Sequence, residues 1–217
     1  MRVQAVLFDG FDPLDVLGPL EVLYAGGHAT GGALTVELVS AEGPREVPSG
    51  LEGISLTAAA KLDPARADLV LLPGAAGATE QRDPDDDSIP ARLGRTLRTE
   101  LPRLLGEALA RPGVTVASVC GGSLLLAMAG LIQDRPATGH HAALDGMAGL
   151  GVRTVAARVV DDGDLVTGGG VTSGLDLSLY LLERGFGPRV AHAVEQLFAY
   201  ERRGVVWSDT GGEPVAI

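Results

Sequence analysis

Short apolar runs alternate with longer stretches of helical period along this chain. Arg2 to Phe8 is apolar and rich in Val and Leu, which predicts a first strand. Asp9-Gly10-Phe11-Asp12 predicts a turn. Pro13 suits the first turn of a helix, where its missing N–H costs nothing. That helix is predicted over Pro13 to Tyr24, with Leu14, Leu17, Leu20, Val22 and Leu23 turned to the core and Gly26-Gly27 as its stop. Leu34 to Val39 predicts a second strand. Val47-Pro48-Ser49-Gly50 followed by Ile54 to Leu56 predicts a small hairpin or excursion. Asp68 to Leu72 predicts a central strand that ends at Pro73-Gly74.

A long helix is predicted over Ile89 to Ala110, with Pro102 kinking or splitting it. Val114 to Val119 predicts a buried strand, and Leu124 to Gly130 the start of the helix after it. A short strand near Ala137-Thr138 and a helix over Ala142 to Leu150 come next. Arg153 to Val160 and Leu165 to Thr167 read as two strands around the tight turn Asp161-Asp162-Gly163-Asp164. Two closing helices are predicted, over Ser173 to Glu183 and Pro188 to Glu201. Strands alternating with helices indicate an α/β fold, a doubly wound and mostly parallel sheet with helices on both faces. No internal repeat or linker divides the chain, so residues 1–217 read as a single domain. Ligands of such sheets bind beyond the carboxyl ends of the strands.

The only cysteine, Cys120, falls at such an end. A lone cysteine is usually a small buried hydrophobe. Here it stands between a strand and a helix, at Cys120-Gly121-Gly122-Ser123, where a sharp turn exposes a nucleophile. A helix N-terminus also favours thiolate over thiol, so the placement predicts both access and activation.

Composition narrows the class. The chain has 217 residues, 46% of them hydrophobic but only 4% aromatic, so its core is built from Leu, Val and Ala. The net charge of −11 argues against nucleic acid and against an anionic membrane surface. One cysteine excludes an intrachain disulfide framework and fits a reducing compartment. The N-terminus is too short and strand-like for a signal peptide, and no apolar run approaches the roughly 20 residues of a span. A soluble cytoplasmic protein is expected. Asp83-Pro84-Asp85-Asp86-Asp87 lacks the central Gly and final Glu of a Ca²⁺ loop and reads as a solvated acidic loop.

Four segments are candidates to converge on Cys120. Asp15 is an acid among apolar residues at a helix opening. It either caps or charges the first turn, or shares a proton with the thiol at a raised pKa. Gly74 and Ala75, straight after a strand, read either as a plain turn or as backbone donors of an oxyanion hole, with Gly121 N–H as a second donor. His140 reads as a pocket residue, since neither His140 nor His141 has partners at metal-ligand spacing; no metal or cofactor is expected. Thr167-Gly168-Gly169-Gly170 through Thr172 lacks the Gly-Lys-Ser/Thr of a phosphate loop. Gly169 and Thr172 read instead as pocket wall or as support for the cysteine turn.

These pieces, in this order, resemble the DJ-1/ThiJ/PfpI superfamily. They are Leu14-Asp15 to Gly18-Pro19, Leu72-Pro73-Gly74-Ala75, Ser118-Val119-Cys120-Gly121-Gly122-Ser123, Ala137-Thr138-Gly139-His140, and Thr167-Gly168-Gly169-Gly170 to Asp176. The likeness runs to about residue 200 and implies a flavodoxin-type fold of the class I glutamine-amidotransferase kind. Within the superfamily the chain looks most like isocyanide hydratases, with aspartate at position 15 where many relatives carry glutamate. Gly121 stands where the hydratase pattern usually has threonine, and where PfpI-type proteases carry histidine. The likeness extends to the amino-terminal domain of AraC-type regulators, whose helix-turn-helix domain is not expected in a sequence that stops at Ile217. The resemblance implies a thiolate at Cys120 that adds to an isocyanide, with Asp15 moving the proton. It also implies a small-molecule substrate and a homodimer, for which Leu17 and Leu20 are candidate contacts. A glyoxalase-type carbonyl hydratase and a metabolite or redox sensor are the alternatives. Trp207 is placed to seal a pocket or an interface, or to cover the core.

Overall fold

A computed structural model describes residues 1–212 and 215 except 84, so Pro84 of the acidic loop lies outside the described residues. The chain runs β1 (Arg2–Leu7), α1 (Pro13–Ala29), β2 (Thr35–Ser40), the hairpin β3 (Arg45–Pro48) and β4 (Ser55–Ala58), then β5 (Ala60–Lys61) and β6 (Leu69–Leu72). Next come α2 (Ile89–Thr96), α3 (Leu101–Leu109), β7 (Thr115–Val119), α4 (Gly121–Met128), β8 (Pro136–Ala137), α5 (Leu144–Gly149) and β9 (Arg153–Thr154). It closes with β10 (Val159–Asp162), β11 (Leu165–Gly168), α6 (Ser173–Phe186), α7 (Pro188–Phe198) and β12 (Trp207–Ser208). The main sheet has the order β12-β10-β11-β7-β6-β1-β2-β5. Its neighbours are parallel except β10 against β11. Helices flank the sheet, as the alternating pattern predicts.

Side chains alternate across the pleat, and the core divides accordingly. Val70 and Leu72 of β6 join a cluster with Leu93, Leu105, Leu125 and Leu126 from α2, α3 and α4. Leu69 and Leu71 join the opposite cluster with Leu23, Leu177, Leu182 and Val194 from α1, α6 and α7. No helix among the described residues is long and apolar enough to cross a membrane.

Two boundaries differ from expectation, and one expected break is present. Helix α1 does not stop at Gly26-Gly27 but continues to Ala29. A Cβ at Gly26 would lie 2.3 Å from Leu182 Cδ2, and one at Gly27 would lie 2.6 Å from the Leu34 carbonyl oxygen. The pair therefore lets α1 pack closely on α6 and β2, which outweighs about 1 kcal/mol per helical glycine. The helix predicted over Ile89 to Ala110 is split in two, as its Pro102 predicts. Pro102 cannot continue a helix from Arg98, and α3 restarts with Thr99 Oγ1 accepting from Leu101 N–H at 3.1 Å. Arg153 to Val160 is not one strand. Its start pairs with β8 in a separate small sheet, and its end pairs with β11 in the main sheet. Between them Val155 N–H binds the Ala137 carbonyl, and the Arg158 carbonyl binds Gly169 N–H.

Candidate active site

Cys120 follows β7, Gly74 follows β6, Asp12 follows β1, and Gly168 closes β11. These four strands are parallel neighbours or next neighbours, so all four loops meet at one edge. Cys120 itself has φ 55° and ψ −119°, a strained backbone for a non-glycine residue. Its N–H donates to the carbonyls of Gly168 (3.1 Å) and Gly169 (2.8 Å), and its carbonyl accepts from His140 N–H (3.3 Å). A buried contact of 2.7 Å between the Ser118 and Ser123 hydroxyls ties β7 to the first turn of α4. Gly122 completes the elbow, because a Cβ there would lie 2.6 Å from the Leu72 carbonyl oxygen.

Asp12, not Asp15, caps α1, with Oδ1 accepting from Leu14 N–H at 2.9 Å. That frees Asp15 to point inward, and it is fully buried. Asp15 Oδ2 accepts from Gly74 N–H at 2.9 Å, while Oδ1 has no hydrogen-bond partner among the described residues. Burial pushes the Asp15 carboxyl up to about 8; the Asp12 charge adds to the rise, and Gly74 N–H and the Cys120 thiol oppose it. Burial likewise pushes the Cys120 thiol up to about 12, helped by the Asp15 charge and opposed by Gly121 N–H. The helix N-terminus is expected to favour thiolate over thiol, but burial and the Asp15 charge oppose it and raise the thiol in the resting site. The two groups titrate as a pair. Burial, reinforced by mutual repulsion, disfavours charge on both, so at neutral pH the resting site holds protons that Asp15 and Cys120 can exchange.

The backbone donors divide their tasks. Gly74 is not an oxyanion donor, because its N–H is committed to Asp15 and its carbonyl to Asp12 N–H (2.9 Å). Gly121 N–H faces the cysteine sulfur. Ala75 N–H makes no hydrogen bond among the described residues and lies on the cavity wall. The two loops pack backbone to backbone, since a Cβ at Gly74 would lie 2.5 Å from the Gly121 nitrogen.

A cavity of about 410 Å³ opens over the sulfur. His140 lines it as expected, with Nδ1 accepting from Ala142 N–H at 3.3 Å. Nε2 then carries the ring proton, and partial burial with His141 alongside keeps the ring below the ordinary histidine range. Gly169 and Thr172 do not line the cavity. Gly169 supports the elbow through its carbonyl, and Thr172 is exposed, accepting from Arg158 Nη2 at 2.9 Å. Val171 takes the wall position instead, with Ile89, Pro90 and Leu124. Sequence reasoning missed these residues. Leu124 was findable, because a residue four after the nucleophile shares its helix face. A larger cleft, about 930 Å³, lies beside α7. It holds no nucleophile, and Arg202 on its wall is paired with Glu195 at 2.6 Å. Among the described residues no cluster of His, Cys, Asp or Glu could hold a metal ion.

The family model described as the DJ-1/PfpI family matches residues 1–184. The chain belongs to this family. A ThiJ/PfpI protein from Pseudomonas syringae superposes with a TM-score of 0.74 at 25% identity, over 94% of this chain and 76% of that one. The chain is 46% identical to an isonitrile hydratase of Pseudomonas putida over 85 residues, 39% of its own length. That match spans only 37% of the length of the hydratase. A deglycase of Pyrococcus abyssi is 28% identical over 170 residues, 77% of this chain and 89% of that protein. The superfamily, which the residue pattern predicts, holds enzymes of more than one reaction.

Proposed function

We propose that this DJ-1/PfpI protein hydrates isocyanides to N-substituted formamides through Cys120. The observation that carries this reading is the buried Asp15–Cys120 pair under an open cavity, supported by the 46% identity to an isonitrile hydratase. An isocyanide is neutral, and its terminal carbon must take both a nucleophile and a proton. The Cys120 sulfur bonds to that carbon as Asp15 delivers its proton there and takes up in return the proton that the thiol gives up, giving a thioimidate. Water then adds its oxygen to this carbon and a proton to nitrogen. The carbon–sulfur bond breaks, the sulfur regains its proton, and the formamide leaves. Ala75 N–H and the His140 Nε2–H are the donors on the cavity wall that orient the substrate or the water. Turnover of an aryl isocyanide is expected from the protein and not from Cys120→Ala, with formamide as the product. Formamide from Cys120→Ala at the same rate removes the proposal.

The match to a deglycase over 77% of this chain favours a second reading, a carbonyl substrate on the same sulfur. Cys120-dependent turnover of methylglyoxal, with none of isocyanide, selects it.

A further inference from the structure

Asp15 gives its proton to the isocyanide carbon and takes the thiol proton in return, so it is protonated again once the thioimidate has formed. The water that adds next finds no proton acceptor there. Asp15 is also fully buried, with Oδ2 held by Gly74 N–H. His140 is no acceptor either, because Ala142 N–H engages its Nδ1 and its Nε2 carries the ring proton. Besides Cys120, the other polar side chains on the described cavity wall are Thr79, whose hydroxyl is a weak base, and Asp12. Asp12 is half-buried, and its Oδ1 accepts from Leu14 N–H at 2.9 Å, which fixes the carboxylate as the cap of α1. Its Oδ2 makes no hydrogen bond among the described residues. Gly74 joins the two acids, since its carbonyl accepts from Asp12 N–H and its N–H donates to Asp15, both at 2.9 Å. The Asp12 charge is felt at both Asp15 and Cys120, raising each, so it stands within electrostatic reach of the sulfur. One carboxyl thus lies dry beneath the sulfur and another on the wall above it, and such contrasting environments separate an acid from a base.

We propose that Asp12 is the catalytic base of the water step. It takes a proton from the water as the water oxygen bonds to the carbon carried by Cys120, and it passes that proton to the substrate nitrogen. The remaining hydroxyl proton moves to the sulfur as the carbon–sulfur bond breaks, so Asp12 ends as it began. This assignment rests on the proposed reaction where the substrate is an isocyanide. The same step also clears an acyl group from the sulfur, so it is readable without an isocyanide.

The test separates loading of the sulfur from its clearance, with two probes. Phenyl isocyanide adds to Cys120, the only cysteine. With p-nitrophenyl acetate the sulfur takes the acetyl group, p-nitrophenolate leaves, and water then releases acetate and returns the thiol. Rapid quenching and intact mass follow both stages in the wild type, in Asp12→Asn and in Asp12→Ser. Both substitutions keep a helix cap and remove the carboxylate, and either variant that folds decides the outcome. Loading is expected to be no slower than in the wild type, because the charge that raises the thiol is gone. Clearance is expected to slow by roughly 10²-fold or more. Formate in the buffer should speed clearance in Asp12→Ser, where it replaces the lost base, and leave the wild type unchanged. Clearance at the wild-type rate in a folded variant overturns the inference. Equal slowing of loading and clearance, with no effect of formate, also overturns it and leaves Asp12 as a helix cap alone. If acetyl clearance depends on Asp12 while phenyl isocyanide never loads, the hydration reading fails and the assignment of the base stands.

Discussion

At Asp15, which is fully buried, one carboxylate oxygen takes the Gly74 N–H and the other has no hydrogen-bond partner among the described residues. A proton on Asp15 is therefore favoured in the fold up to about pH 8, while the unfolded chain releases it near 3.8. Between those values the native state binds more protons than the unfolded state, so this group's contribution to stability is complete below about pH 4 and falls as pH rises through 8. Asp15→Asn cannot titrate. Its melting temperature should gain on the wild type as the buffer moves from about pH 5 to about pH 8; a constant difference contradicts the raised carboxyl. The same variant should lose roughly 10²–10⁴-fold in turnover, because the proton carrier is gone. The identity of this acid was legible from its place among apolar residues at the start of a helix. That it is not the cap was not legible, because Asp12 and Asp15 both suit a first turn and only the backbone geometry assigns the cap. The resting protonation of Cys120 was misread for a related reason. A helix terminus is visible in sequence, but the desolvation that outweighs it is a property of packing.

At the scale of elements, the elbow works because the loops after β6 and β7 touch through their backbones. The glycines there are not equivalent. A Cβ on Gly122 would lie 2.6 Å from one carbonyl oxygen and 2.9 Å from another, while one on Gly121 finds its nearest neighbour at 3.4 Å. Gly122→Ala should therefore lower stability by about 1–3 kcal/mol in denaturant unfolding. Gly121→Ala should stay near wild type. Equal effects of the two substitutions contradict this account of the turn. The strand-turn-helix pattern was legible from an apolar run followed by Cys-Gly-Gly-Ser. The extension of α1 through Gly26-Gly27 was not, because its cause is the approach of Leu182 and Leu34, remote in sequence.

The whole molecule is joined behind the site by Asp176. Its nearly buried carboxylate accepts from Arg158 Nε at 2.6 Å, from Tyr200 Oη at 3.0 Å, and from Arg203 N–H at 2.7 Å. These partners belong to the segment before β10 and to the chain beyond α7, so one acid links the edge of the sheet, α6 and the C-terminal segment. Asp176→Ala leaves Arg158 without its partner and should cost about 3–5 kcal/mol by chemical denaturation; a loss below about 1 kcal/mol contradicts the clamp. The alternation of strands and helices made the sheet and its two helical layers readable. The clamp was not readable, because its members are 18 to 27 residues from Asp176 and periodicity carries no information over such separations. Nor was the break in Arg153 to Val160, where β8 and the Gly169 loop capture the backbone between two short strands.

The most direct measurement is the intact mass of the protein during turnover of an aryl isocyanide, followed by peptide mapping. The account predicts a transient adduct on Cys120 equal to the whole isocyanide, since addition expels no leaving group. Its decay should match the appearance of formamide, and it should be absent in Cys120→Ala. Formamide produced with the cysteine removed, or no adduct and no formamide from the folded wild-type protein, contradicts the account.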